Sequence, residues 1–161
     1  MEKERLEFCV NRFDHYFESI NNKGAVYLGL ETFIVGGLIA AYPYFIENIK
    51  QHCLLNLVLC SSIMIGLSIM IIVILATMPF LNKGTESIFY FGSICCLTHE
   101  EFSEKSINVD EKNNLEDLRR QVYHLSHGLQ KKFKKLKLAS LLFIIQFLFF
   151  IPLIFLIILN Q

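Results

Sequence analysis

The stretch LLNLVLCSSIMIGLSIMIIVILATMPF, residues 54–80, contains no Asp, Glu, Lys or Arg. Crossing about 30 Å of hydrocarbon takes roughly 20 helical residues at about 1.5 Å each. This run is long enough, and two others flank it in the chain. Residues 24–45 and 138–159 are comparably apolar, with Glu31 the one charged residue in the three segments together. The apolar residues are blocked rather than dispersed, which separates bilayer spans from the faces of a soluble core. With 53% hydrophobic residues in 161 and a mean hydropathy of +0.45, the chain lies outside the range of ordinary soluble domains. The expected fold class is an all-α membrane protein with three transmembrane helices and two amphipathic cytoplasmic helices.

The formal net charge of zero hides an asymmetry. Lys3, Arg5, Arg12 and Lys23 precede the first span, and ten more basic residues lie in the linker 81–137. The short connection 46–53 carries only Lys50. The positive-inside rule then places the N-terminus and linker in the cytoplasm, and three spans carry the C-terminus across. A cleaved signal peptide is not expected. Five acidic residues lie ahead of the first span, and that span is longer than a signal core, although Ala40-Ala41 has the small residues of a cleavage site. Of Cys9, Cys53, Cys60, Cys95 and Cys96, only Cys53 is expected to face an oxidising side, so an internal disulfide is not expected.

Outside the spans, two stripes have helical period. Leu6, Val10, Phe13, Phe17 and Ile20 share one face within residues 1–23. Leu115, Leu118, Val122, Leu125, Leu129, Phe133 and Leu136 share another within 115–137, which runs into the third span with Gly128 its one weak link. These heptad-like seams are expected to pack on each other or on neighbouring subunits. Between them, Ile88-Phe89-Tyr90-Phe91 reads as an interfacial piece and 98–114 as a polar loop or surface helix. Asn113-Asn114, followed by Glu116 and Asp117, reads as the start of the linker helix.

Glu31 stands about 10 Å into the first span at ~1.5 Å per residue. An ionised carboxylate there costs a few kcal/mol unless it is paired, hydrated or neutralised. It is either a pore-lining or proton-coupled group, or a neutral acid bonded to a neighbouring helix. Gly36-Gly37 and Ala40-Ala41 form small-residue registers in the first span, and Ser62 with Gly66 forms one in the second. Reversal of the chain puts Gly36 and Gly66 at similar depth, so these two helices are expected to form a close hairpin. The third span has only Gln146 as a polar interruption, and looser packing or lipid contact is expected of it. Lys131, Lys132, Lys134, Lys135 and Lys137 crowd its entrance. They suit anchoring on anionic membrane lipids, or contact with a nucleotide phosphate. His124 and His127, with His99 beyond, match no zinc spacing. Walker, dinucleotide-binding and HExxH motifs are absent, and no Ser-His-Asp arrangement stands out, so no enzyme activity, metal or cofactor is expected. No nucleic-acid partner is expected either.

A set of features in fixed order carries a resemblance. A cytoplasmic helix meets the first span at Asn22-Lys23-Gly24-Ala25, and the second span ends in Ala76-Thr77-Met78-Pro79-Phe80. An aromatic Ile88-Phe89-Tyr90-Phe91-Gly92 and an acidic stretch follow. Then Leu118-Arg119-Arg120-Gln121-Val122-Tyr123-His124-Leu125 and Lys131-Lys132-Phe133-Lys134-Lys135-Leu136 lead into the last span. From about Phe13 to Pro152 this order resembles the transmembrane effectors of the Pycsar system, by which bacteria answer phage infection through a cyclic pyrimidine mononucleotide. The resemblance implies an inner-membrane effector that senses cyclic CMP or cyclic UMP made by a partner nucleotide cyclase. It also implies impaired membrane integrity, abortive infection and a homo-oligomer. The cytoplasmic residues are too few for a conventional cyclic-nucleotide-binding domain, so an improvised site between subunits at the linker helices is expected. The competing class is a constitutive small transporter or an accessory subunit of a membrane complex. Glu31 without a second buried charge argues against coupled transport.

Overall fold

A computed structural model describes residues 1–48, 52–79 and 87–159. The connection expected at 46–53, the linker start at 80–86 and the last two residues lie wholly or partly outside them. Five helices follow in order: α1 Glu2–Asn48, α2 His52–Thr77, α3 Phe91–Ile94, α4 His99–Asn108 and α5 Glu111–Leu159. No strand occurs among the described residues.

The helix ends follow local chemistry. Glu2 and Glu4 sit in the first turn of α1, at the positive end of its dipole. α2 stops at Thr77 because Pro79 disfavours helical geometry at Met78. Thr98 and Glu101 close a reciprocal capping box on α4. α5 begins earlier than Asn113-Asn114. Asp110 is its cap, accepting the Asn113 amide at 2.8 Å, and a carboxylate placed before the first turn leaves the asparagines inside the helix. From there α5 runs unbroken to Leu159.

The chain divides into two compact units. The first comprises Met1–Ser19 and Met78–Lys131. In it Leu118 and Leu129 are buried within a single chain, so these positions of the linker stripe pack internally. Arg119 clamps Glu2 with bonds of 2.9 and 3.0 Å, joining the start of α1 to α5. That hydrogen bonding holds the Glu2 carboxyl below the usual carboxylate range. Segment 87–89 is tied down by Asp117, which accepts from the Ser87 hydroxyl at 2.9 Å and the Ile88 amide at 3.1 Å. Gln121 donates to Ser87 Oγ at 2.7 Å.

The second unit comprises Ile20–Thr77 and Lys132–Gln161. Its polarity is inverted. Phe33, Leu57, Met64 and Phe155 are exposed, whereas Glu31, Ser62 and Gln146 are 0%, 1% and 1% exposed. Such a bundle is stable only in an apolar solvent, and three helices are long and apolar enough to span a membrane. One apolar layer joins Ile69, Val73 and Ala139, with Tyr27 and Phe143 stacked against it. Another joins Leu38, Leu55, Val58, Leu59 and Leu153.

Two expectations need correction. Within the chain, the seam is not made at Gly36, Gly37 and Ala40, which are exposed; a methyl group added at either glycine would meet nothing within 4 Å. Ala41 is half-buried. The depth match holds, since a Cβ on Gly66 would lie 2.5 Å from Val35 Cγ2. One residue along a helix is a rotation of about 100°, which turns Gly36 outward while Val35 faces α2. The second correction concerns the third span. It supplies Ala139, Gln146 and Leu153 to the interior and is a full member of the bundle.

Candidate functional site

The three spans converge on a polar layer lying, in sequence order on every helix, between the two apolar ones. α1 supplies Glu31, α2 supplies Ser62 and Gly66 one turn apart, and α5 supplies Gln146. Gly66 makes the layer possible. A Cβ there would lie 2.8 Å from both Glu31 Oε2 and Gln146 Nε2, so only a residue without a side chain lets these groups meet the α2 backbone. Gln146 Nε2 donates to the Ser62 carbonyl at 3.3 Å. Both Glu31 oxygens, Ser62 Oγ and Gln146 Oε1 are buried without a hydrogen-bond partner among the described residues.

Other hydroxyls in the spans behave differently. Thr32, Ser61, Ser68, Thr77 and Ser140 each donate to a carbonyl of their own helix. This is the ordinary way to hide a hydroxyl from lipid. Ser62 does not.

The lysine run divides in two. Lys132 Nζ reaches the Thr77 carbonyl at 3.3 Å and Lys135 Nζ the Leu75 carbonyl at 2.9 Å. Both occupy the C-terminal turn of α2, where carbonyls lack helical partners and the dipole favours cations. Lys131, Lys134 and Lys137 are exposed, the orientation that headgroup or phosphate contact requires. His127 is engaged by the Tyr123 ring, with centroids 4.5 Å apart.

The first unit holds a groove of about 930 Å³. Phe89, Asn11, Asn114 and Gln121 line it together with Lys3 and the acids Glu2, Glu7 and Glu111. The Asn114 side-chain oxygen is buried and has no partner among the described residues. The Ser87–Asp117–Gln121 network holds Phe89 and Gln121 in place along this groove.

Comparison with known families gives a match over residues 5–159 to the Pycsar effector protein domain, PycTM. The chain belongs to the Pycsar effector family. It is therefore a membrane protein with a role as an effector in antiphage defence, and the PycTM domain takes up nearly all of it. No curated protein and no solved structure matches it. For this PycTM domain the sequence singled out Glu31, Ser62 and Gly66, and the structure brings them together. It noticed Gln146 only as an interruption, and Gly24 only as the start of a span. A Cβ on Gly24 would lie 2.7 Å from Thr77 Cγ2, which makes this glycine a second point of close approach between α1 and α2. Ser87 gave no signal, Asp117 read only as an acid at a helix start and Gln121 only as part of the resemblance, because their meaning depends on a fold that joins distant segments.

Proposed function

We propose that this effector responds to cyclic CMP or cyclic UMP by impairing the inner membrane of an infected cell. In this reading it acts without catalysis, as a homo-oligomer working downstream of a nucleotide cyclase. Residues 1–23 and 81–137 face the cytoplasm, in accord with their fourteen basic residues against the single Lys50 of the opposite connection. The observation that carries the nucleotide reading is the groove of the first unit. Its volume suits a small ligand, and its lining offers what a pyrimidine mononucleotide needs.

Phe89 supplies an aromatic face for the base. The amides of Asn11, Asn114 and Gln121 can pair with a pyrimidine edge, and the Asn114 oxygen, without a partner among the described residues, can accept from the exocyclic amine of cytosine or the N3–H of uracil. Lys3, which pairs with Glu7 at 3.9 Å, is the lysine on hand for the cyclic phosphate. Glu2 is neutralised by Arg119, which lessens the repulsion an anion would meet.

Calorimetric titration of the purified protein with cyclic CMP, cyclic UMP and cyclic AMP tests this site. Binding of at least one pyrimidine nucleotide is expected, with cyclic AMP weaker. Phe89→Ala should weaken it by about five-fold to a hundred-fold, from the ~1–3 kcal/mol of base stacking on an aromatic. Absence of binding, or unchanged affinity in Phe89→Ala and Asn114→Ala, would remove the groove from the account.

A further inference from the structure

We propose that Glu31, Ser62 and Gln146 bind a single monovalent cation, for which sodium is the probe, inside the three-helix unit. This site is separate from the nucleotide groove and does not depend on that reading.

The first argument is the inventory of donors and acceptors. Glu31 Oε1 and Oε2, Ser62 Oγ and Gln146 Oε1 are oxygens that can accept and that are buried without hydrogen-bond partners among the described residues. Gln146 Nε2 gives one N–H to the Ser62 carbonyl, which leaves its second N–H and the Ser62 hydroxyl as the side-chain donors in a layer with more oxygens than they can serve. Orphaned polar groups in an apolar interior are costly, and their occurrence in one layer, with Glu31 Oε2 and Gln146 Nε2 both facing Gly66, is not what chance packing of apolar helices produces. A proton on Glu31 would serve one acceptor. A cation satisfies several oxygens at once, and carboxylate, hydroxyl and amide oxygens are hard ligands suited to a hard ion.

The second argument is charge. Residues 24–46 of α1, 53–77 of α2 and 138–159 of α5 contain no Asp, Glu, Lys, Arg or His apart from Glu31. A bound monovalent ion makes the interior neutral. A divalent ion would leave a net positive charge in a medium where an isolated charge is prohibitive. The third argument is the behaviour of Ser62. Five other hydroxyls of the spans are bonded to their own helix, and Ser62, between Leu59 and Gly66 on the packed face of α2, keeps its oxygen directed elsewhere. Gly66 then acts as the positioning residue that leaves space for the carboxylate.

The test uses the full chain in detergent micelles and follows helix melting by circular dichroism. Sodium chloride replaces choline chloride at constant ionic strength and constant pH. A ligand that binds only the folded state raises the melting temperature progressively with its concentration. We expect such a rise with sodium and none with calcium chloride matched for ionic strength. Ser62→Ala, which keeps the packing, should require at least ten-fold more sodium for the same rise. Glu31→Gln should lose the response. Should Glu31→Gln fail to fold, Ser62→Ala and Gln146→Leu carry the test. A melting temperature equal in sodium and choline at every pH would overturn the site and leave a neutral acid. A larger response to calcium would overturn the charge argument, and an unchanged sodium response in the variants would overturn the location.

Discussion

Gly66→Leu is expected to abolish the folded three-span bundle, while Gly36→Leu leaves it intact. At Gly66 even the first added carbon would sit 2.5 Å from Val35 Cγ2 and 2.8 Å from Glu31 Oε2 and Gln146 Nε2. Leucine extends further into the same space. Overpacking of this kind typically costs about 1–3 kcal/mol, and here it also displaces buried polar groups at ~1–3 kcal/mol each. Association of helices in lipid has little hydrophobic driving force to offset such losses. Gly36 faces outward with nothing within 4 Å, and leucine there improves helix propensity. The yield of monodisperse protein and its melting temperature in detergent check both variants. Equal behaviour of the two would show that α1 packs on a different face.

Leu118→Asp with Leu129→Asp is the second large effect. Both leucines are buried in the first unit, at 9% and 7% exposure. A carboxylate forced into either position has no designed partner, and an unpaired buried charge costs several kcal/mol. That exceeds what the capping of α5 and the Arg119–Glu2 clamp can contribute in a unit of this size. The three apolar spans are untouched, so membrane insertion should persist. Hydrogen exchange should rise sharply over residues 1–19 and 87–131 and stay low over 55–76. The variant is also expected to be silent toward nucleotide, because the groove is lined by Leu115 and Leu118 themselves. Protection unchanged across 1–19 would contradict the packing of this unit.

The three spans were legible because bilayer solubility writes itself in blocks of composition, and no tertiary information is needed to read them. The depth match of α1 and α2 was legible too, since an antiparallel pair fixes which residues share a level. The contact face was not: a single-residue offset between Val35 and Gly36 turns the interface by about 100°, and both are flanked by small or apolar neighbours. Gln146 had no reason to stand out until α5 placed it against Ser62. Similarly, Asp117 read as a helix-start acid, yet its carboxylate holds Ser87 and Ile88 from another segment. The family resemblance ran from about Phe13 to Pro152, and the match over 5–159 bears it out. The linker stripe left its partner open, since a periodic apolar face looks the same whether it meets its own chain or another.

The proposed response is that a cyclic pyrimidine nucleotide turns this domain against the membrane. Its most direct measurement is uptake of a membrane-impermeant dye by cells expressing the wild-type protein, with cyclic CMP, cyclic UMP or cyclic AMP supplied. The account predicts rapid uptake with at least one pyrimidine nucleotide, little with cyclic AMP, and none in cells expressing Leu118→Asp with Leu129→Asp. Dye uptake indifferent to every nucleotide would contradict it.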